Sequence, residues 1–529
     1  LEELILDLYE SDLLNENDGQ WMFSSPIGEI YIPSSLTGLL QSRVDRLSDE
    51  LKSVLQKSSV LGVEFQLKLY SRLAAELSLD ENSRSIFDNL ERRQFLIGRG
   101  TAFEQKYAFR HILIRDTAYN SILTSNRKIL HRITARLIEE MYPDDEQEVA
   151  DILAHHWERA DKRDKAIQWG VISLEYAKET YQHEKVLGLS DKLESWIQEQ
   201  PQSMENTEIL LNVLMCRNET LNLLGRSGEQ EQLLLRMKDI ADTYEASAWH
   251  GKIQFALGVV FRITGRMTEA EKCYRLALEI SRRCKDYKQE SMVLCNLGIL
   301  SRIQGRTDEA LEFFETALEI NLEEGDRKIE GTLLGNLGNF YFDLERMDKA
   351  IEYYKKALAI NRETGDRRNE GIALGNLGNP YISMDEIEHA LNYYRQALEL
   401  HREVGNRKSE GVTLGNLGTL YYDHDRFEES LECYKMALEI HLEVGNPRLE
   451  AITLAALALL RIKKSDYSGA LECYRDTLLI IEELEMTDRG FDRFEELRCS
   501  LLSRGFSETE VIWPRHWNKP QQSEEHNSE

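Results

Sequence analysis

Prolines are scarce, 8 in 529 residues, so the chain does not read as proline-rich linker or as short elements punctuated by proline turns. Long apolar runs are also missing. The longest lies near Ala451 to Leu460, far below the roughly 20 residues of a membrane-spanning helix, and no secretory signal is visible. The 7 cysteines are an odd count with no CxxC pair, which argues against a disulfide framework and favours a reduced, cytoplasmic setting. Positive charge is in deficit: 93 acids face 65 bases, for a net charge of −28, which disfavours a general binder of nucleic acid or anionic membrane. No GxxxxGK[ST] run occurs. Without that cradle for phosphates the chain is not expected to hydrolyse ATP. No Ser/His/Asp, Cys/His or metal-ligand arrangement can be argued from spacing, so no catalytic residue, cofactor or metal is expected. The chain opens on Leu1 rather than Met and reads as a piece of something longer.

What is present is helix-forming sequence in a regular repeat. Hydrophobic residues make up 42% and charged residues 30%, and strings of Ala, Leu, Glu, Lys and Arg predict helix nearly throughout. The length exceeds one compact core, so several domains or a solenoid are expected. Leu297-Gly298, Leu337-Gly338, Leu377-Gly378 and Leu417-Gly418 recur every 40 residues. Ala310, Ala350, Ala390 and Ala470 keep that register, with Ser430 between. So do Tyr274, Phe314, Tyr354, Tyr394, Tyr434 and Tyr474, then Ala277, Ala317, Ala357, Ala397 and Ala437, and also Cys273, Cys433 and Cys473. This order resembles the tetratricopeptide repeat, with Leu where the pattern has Trp. Each unit then predicts a helix pair, with small residues such as Gly338 and Ala350 allowing close approach and Leu337 and Tyr354 filling the seam. Gly265, Gly305, Glu345, Asp385 and Asp425 fall in the turns inside units. Gly325, Gly365, Gly405 and Gly445 end the second helices in the left-handed cap conformation. The run 325–330 stretches the period beyond the usual 34.

Residues 1–145 have a different character. Ile27 to Ile32 reads as a short strand, Pro33-Ser34-Ser35-Leu36 starts a helix through Leu47, and a second helix follows Ser48 with Asp49 and Glu50 in its first turn. The stretches Ile32-Pro33-Ser34-Ser35-Leu36, Arg43-Val44-Asp45-Arg46-Leu47 and Val60-Leu61-Gly62-Val63-Glu64-Phe65 resemble the region just downstream of the ATPase core in signal-transduction ATPases with numerous domains. That resemblance implies a helical segment over 1–47 and a winged-helix-like domain over 48–115. In it Ser83 to Arg93 is the third helix, and Phe95 to Ile97 and Tyr107 to His111 supply the wing strands and the next helix start. A helical linker with degenerate repeats follows over 116–249, six repeats over 250–485, and a capping helix with a disordered tail over 486–529. The expected fold is an all-α, right-handed tetratricopeptide-repeat solenoid behind a small helical and winged-helix segment.

Each candidate site also has a plainer role. By the resemblance, His111 implies a nucleotide-sensing contact in a full-length parent; otherwise it is an ordinary helix-start histidine. The segment from Arg92 to Arg136 holds ten Lys or Arg against Glu104 and Asp116. It is a weak case for DNA, because Arg127, Lys128, Arg132 and Arg136 lie past the wing. His155 and His156 beside Trp157 lack a second ligand cluster and read as helix packing. Asn296, Asn336, Asn376 and Asn416 recur one residue before the Leu-Gly pair, with Asn339 and Asn379 on the same helical face. Asn is a mediocre helix former, and its amide both donates and accepts, as a peptide backbone does. The ladder either holds an extended peptide in the concave groove or only organises the solenoid. Asp343 and Asp423 favour a ligand with some basic character. The expected function is a protein- or peptide-binding sensor and scaffold region of a signalling ATPase, with possible oligomers of the parent. A stand-alone adaptor and the regulatory tail of a cyclase or kinase are the alternatives.

Overall fold

The computed structural model describes Ile5, Leu8 and residues 13–17, 20–24, 35–77, 83–100, 105–244, 247–483, 492–508, 510–512 and 514. The strand expected over 27–32 and the tail over 521–529 lie outside the described residues. The chain divides into two compact units, one of Leu1–Tyr176 with Ser195–Ile197, the other of Ala177–Glu194 with Gln198–Glu529.

In the first unit, β1 (Leu14–Asn17) and β2 (Gln20–Phe23) pair antiparallel. Helix α1 (Leu36–Asp45) begins at Ser35, whose hydroxyl accepts from the Gly38 amide at 3.1 Å. Helix α2 (Asp49–Leu61) is capped by Ser48 with Asp49 and Glu50 in its first turn, where acids suit the positive end of the helix dipole. Strand β3 (Glu64–Gln66), α3 (Leu67–Glu76), α4 (Ser83–Arg92), β4 (Leu96–Arg99) and β5 (Lys106–Phe109) follow. The three strands form an antiparallel sheet in the order β3-β5-β4. Phe65, Tyr70, Phe87 and Tyr107 are buried together with Leu55 and Leu73. The Phe87 and Tyr107 rings stack with centroids 4.6 Å apart. Arg43 is also buried, its guanidinium 4.7 Å from the Phe95 ring and donating to the Arg93 carbonyl at 2.9 Å. Helices α5 (Ile112–Asn120), α6 (Thr124–Met141), α7 (Glu146–Arg159) and α8 (Arg163–Glu179) run on from the sheet.

The second unit takes up the end of α8 and holds most of α9 (His183–Gln198), a helix outside the 40-residue register. Then come α10 (Met204–Leu223) and α11 (Ser227–Thr243), followed by six helix pairs. These are α12 (Ser247–Ile263) with α13 (Met267–Cys284), α14 (Tyr287–Ile303) with α15 (Thr307–Glu324), and α16 (Arg327–Asp343) with α17 (Met347–Glu363). The last three are α18 (Arg367–Ser383) with α19 (Ile387–Glu403), α20 (Arg407–Asp423) with α21 (Phe427–Glu443), and α22 (Pro447–Lys463) with α23 (Tyr467–Glu483). Helix α24 (Asp492–Ser503) packs Phe494, Leu497 and Leu501 onto the last pair. The chain is an all-α solenoid of such pairs with little sheet. Among the described residues no helix is long and apolar enough to cross a membrane.

The stretched period has a local cause. Asp286, Asp326, Asp366, Asn406 and Asn446 recur at 40 residues, and each caps the first helix of a pair by accepting a first-turn amide. Gly325, Gly365, Gly405 and Gly445 precede four of them with φ of 74°, 67°, 63° and 61°. Lys285 takes the same left-handed place ahead of Asp286 at φ 56°. A left-handed stop followed at once by an N-cap resets the helix direction without a longer loop. Inside each pair the seam is tight: a Cβ built on Gly338 would lie 2.5 Å from the buried Tyr354 ring. Pro380 sits inside α18, which nevertheless has the same length as α16 and α20.

Candidate functional site: the first-helix face of the repeats

Helical spacing puts Thr332, Gly335, Asn336, Asn339 and Asp343 on one side of α16. Leu333, Leu337 and Phe340 are buried on the other side, whereas Thr332 and Asp343 are exposed and Asn336 and Asn339 half-buried. Asn296, Asn376, Asn379 and Asn416 are half-buried on the matching faces of α14, α18 and α20.

The six amides are used differently. Asn296 donates to the Met292 carbonyl at 3.0 Å and accepts from the Tyr274 hydroxyl at 3.4 Å. Asn336 donates to the Thr332 carbonyl at 3.1 Å and to Cys295 Sγ at 3.2 Å. Asn339 Oδ1 accepts from the Tyr354 hydroxyl at 2.8 Å. Asn379 Oδ1 takes the Tyr394 hydroxyl at 2.6 Å and the Asn416 amide at 3.3 Å, which ties two repeats together. Asn376 makes no hydrogen bond to another described residue. Arg302 and Asp343 form an ion pair, so neither supplies a free charge for choosing a ligand's sign.

Other singled-out residues fall in the first unit. His111 is exposed at the N-cap position of α5 and makes no side-chain cap bond. His156 is buried, its Nδ1 2.8 Å from Nδ1 of His131, whose Nε2 lies 2.9 Å from the Tyr119 hydroxyl. Burial, with His155 next in effect, pushes His131 down to about 3. Among the described residues no three His, Cys, Asp or Glu side chains are arranged to hold a metal. Several bases of the Arg92–Arg136 segment are paired: Arg99 with Glu64 at 3.1 Å, Lys128 with Asp161 at 2.6 Å, and Arg136 with Glu76.

Two periodic features went unread in the sequence. Arg282, Arg362 and Arg402 reach Glu290, Glu370 and Glu410, all buried, at 2.8, 2.9 and 2.8 Å. Arg367 and Arg407 bind Glu370 and Glu410 from the other side. The signal was a glutamate at every fortieth residue, from Glu290 to Glu450. Lys288, Lys328, Arg368, Lys408 and Arg448 form a second series at the same spacing.

A family model of the tetratricopeptide repeat matches residues 244–323, 330–403 and 409–483. Among solved structures, a signal-transduction ATPase with numerous domains and a tetratricopeptide-repeat sensor, from Pyrococcus horikoshii, is 15% identical. The match covers 90% of this chain and 68% of that one, with a TM-score of 0.48. BtubC from P. vanneervenii is 21% identical over 46% of this chain and 93% of its own, with a TM-score of 0.34. A Rap protein complexed with competence and sporulation factor is 12% identical over 64% of this chain and 99% of its own, with a TM-score of 0.45. No curated protein matches the sequence. With six helix pairs in register and a matching family model, residues 244–483 form an array of tetratricopeptide repeats.

Proposed function

We propose that the array recognises an extended segment of a protein partner along the first-helix face, as the sensor and scaffold part of a signalling ATPase. Stacked helix pairs of this kind present a continuous concave surface, and such surfaces are what repeat proteins use for binding. The observation that carries the reading is Asn376: an amide in the middle of the array, half-buried, with no hydrogen bond to any described residue. An asparagine there costs helix propensity and gains no bond within the array. A peptide backbone supplies both the donor and the acceptor it lacks. In the front segment, three helices and the β3-β5-β4 sheet are the parts that a winged-helix reading needs.

Asn376→Ala tests the groove. A partner recovered by pull-down should bind the variant about 2- to 12-fold more weakly, the loss of one net hydrogen bond of about 0.5–1.5 kcal/mol. The melting temperature should stay within a degree or two, because no internal bond is removed. Unchanged affinity with unchanged stability would remove Asn376 from the site.

A further inference from the structure

The second residue of each first helix from α14 to α22 is basic: Lys288, Lys328, Arg368, Lys408 and Arg448. At the start of the series the charge is neutralised, since Lys288 pairs with Asp326 at 2.8 Å. At Lys408 it is not. Arg368 Nε is buried and has no hydrogen-bond partner. The Lys408 ammonium makes no hydrogen bond or ion pair with a described residue. Lys408 is half-buried, and the charges that act on its ammonium, Arg262 and Arg368, are both positive; a desolvated cation without a counter-charge is unfavourable and requires an explanation.

The second unit closes on itself beside them. A Cβ on Gly225, in the turn between α10 and α11, would stand 2.4 Å from Val444 Cβ. His183 Nε2 lies 3.1 Å from the Val404 carbonyl. This closure leaves a cavity of about 450 Å³ whose wall includes Arg262, Lys408 and Arg448 but no Asp or Glu. Arg266 also lines it, but its guanidinium is held by Glu231 at 2.5 Å. Asp366 and Glu219 act on Arg368, which does not line the cavity. First-turn residues of three helices, Ser227 of α11, Met267 of α13 and Pro447 of α22, line the cavity too. The N-cap residues of α11 and α13 are Arg226 and Arg266, and neither makes a side-chain cap bond. Helix N-termini attract anions through their open amides and dipole.

We infer that this cavity is a binding site for a small organic phosphate. The cationic Arg262 and Lys408 and the two uncapped helix N-termini, of α11 and α13, suit a group carrying about two negative charges, as a phosphate monoester does, better than a single carboxylate. The volume lies in the range of small-molecule sites and exceeds a bare phosphate. Ile263, Met267, Val444 and Pro447 give the organic part an apolar wall. Burial, with Arg262 and Arg368 adding to it, pushes the Lys408 ammonium down to about 8, as expected of a cation waiting for an anion. The site does not rest on the peptide reading, because its wall contains none of the ladder asparagines.

The test is a melting curve of the full chain with sodium pyrophosphate, compared with sodium chloride at equal ionic strength. Pyrophosphate should raise the melting temperature of the parent, whereas chloride should not. Lys408→Met should melt no lower than the parent without ligand, since it removes a half-buried charge that has no counter-charge. Lys408→Met should lose most of the pyrophosphate shift, and calorimetric affinity should fall about 10-fold or more. Arg262→Gln serves as a second variant with the same expected loss. No shift beyond chloride overturns the site, and so does an equal shift in parent and both variants. Citrate stabilising as much as pyrophosphate overturns the phosphate assignment.

Discussion

A methyl group on Gly378 would stand 2.6 Å from the Tyr394 ring, which is fully buried and held by Asn379. The ring has nowhere to go, so Gly378→Ala should destabilise the array by about 1–3 kcal/mol despite better helix propensity. Gly415, on the open face of α20, has nothing within 4 Å of the added carbon, so Gly415→Ala should stabilise by about 0.5–1 kcal/mol. Chemical denaturation of both variants reads the pair, and equal effects would refute the close-packing account of the seam. The seam was legible because its residues are the ones that cannot vary: a constant spacing fixes which glycine meets which ring. The fate of the ladder amides was not. Whether Asn379 is a rung for a ligand or a node between Tyr394 and Asn416 depends on the rotation between neighbouring repeats, and the composition of one repeat does not determine that rotation.

Among elements, the first helix of the fourth pair carries a built-in fault. Pro380 offers no amide to the Asn376 carbonyl four residues back and crowds it, yet α18 runs unbroken from Arg367 to Ser383. The packing of Leu374, Leu377 and Pro380 itself, all buried, holds the helix against that cost. The corresponding residues of the other pairs, Leu300, Phe340 and Leu420, are buried and apolar, so the position accepts a larger side chain. Pro380→Leu should therefore stabilise the array by up to about 3 kcal/mol, visible as a raised melting temperature. An unchanged or lower value would mean that the backbone has already adapted around the ring. The six pairs could be read from sequence because an aromatic recurs at 40 residues from Tyr274 to Tyr474 and four of the boundaries carry a glycine. Helix α9 could not, since its Leu187-Gly188 pair falls outside the 40-residue register and it has no tyrosine. The antiparallel pair of β1 and β2 rests on eight residues without strict alternation, too short for a periodicity to stand out.

At the scale of the whole molecule, distant contacts set properties that no single repeat reveals. Lys408 meets Arg262 because the second unit closes on itself, and a period of 40 gives no measure of that closure. The pH response is also a summed property of the array. His401 and His441 occupy the place held by Asn321 and Asn361 in earlier repeats, and both are buried with Nδ1 unpartnered. Burial pushes each down to about 4; at His401 the Glu410 carboxylate partly opposes this and Arg368 adds to it. In the unfolded chain both sit near 6.5. Between about pH 6.5 and 4 the unfolded state then binds protons that the folded state refuses, so stability falls as pH falls through that window and is fully present above it. The cost approaches about 3 kcal/mol per histidine at the acid end. Carboxylates held low by their partners, such as Asp326 beside Lys288, add losses of their own lower down, so the parent alone does not isolate the histidines. His401→Asn with His441→Asn does, because asparagine already fits against Gly331 in the equivalent place. The double variant should lose less stability than the parent between pH 6.5 and 4, with the two curves converging in slope above pH 7. Parallel curves across the whole range would mean that both imidazoles take up protons without disturbing the fold.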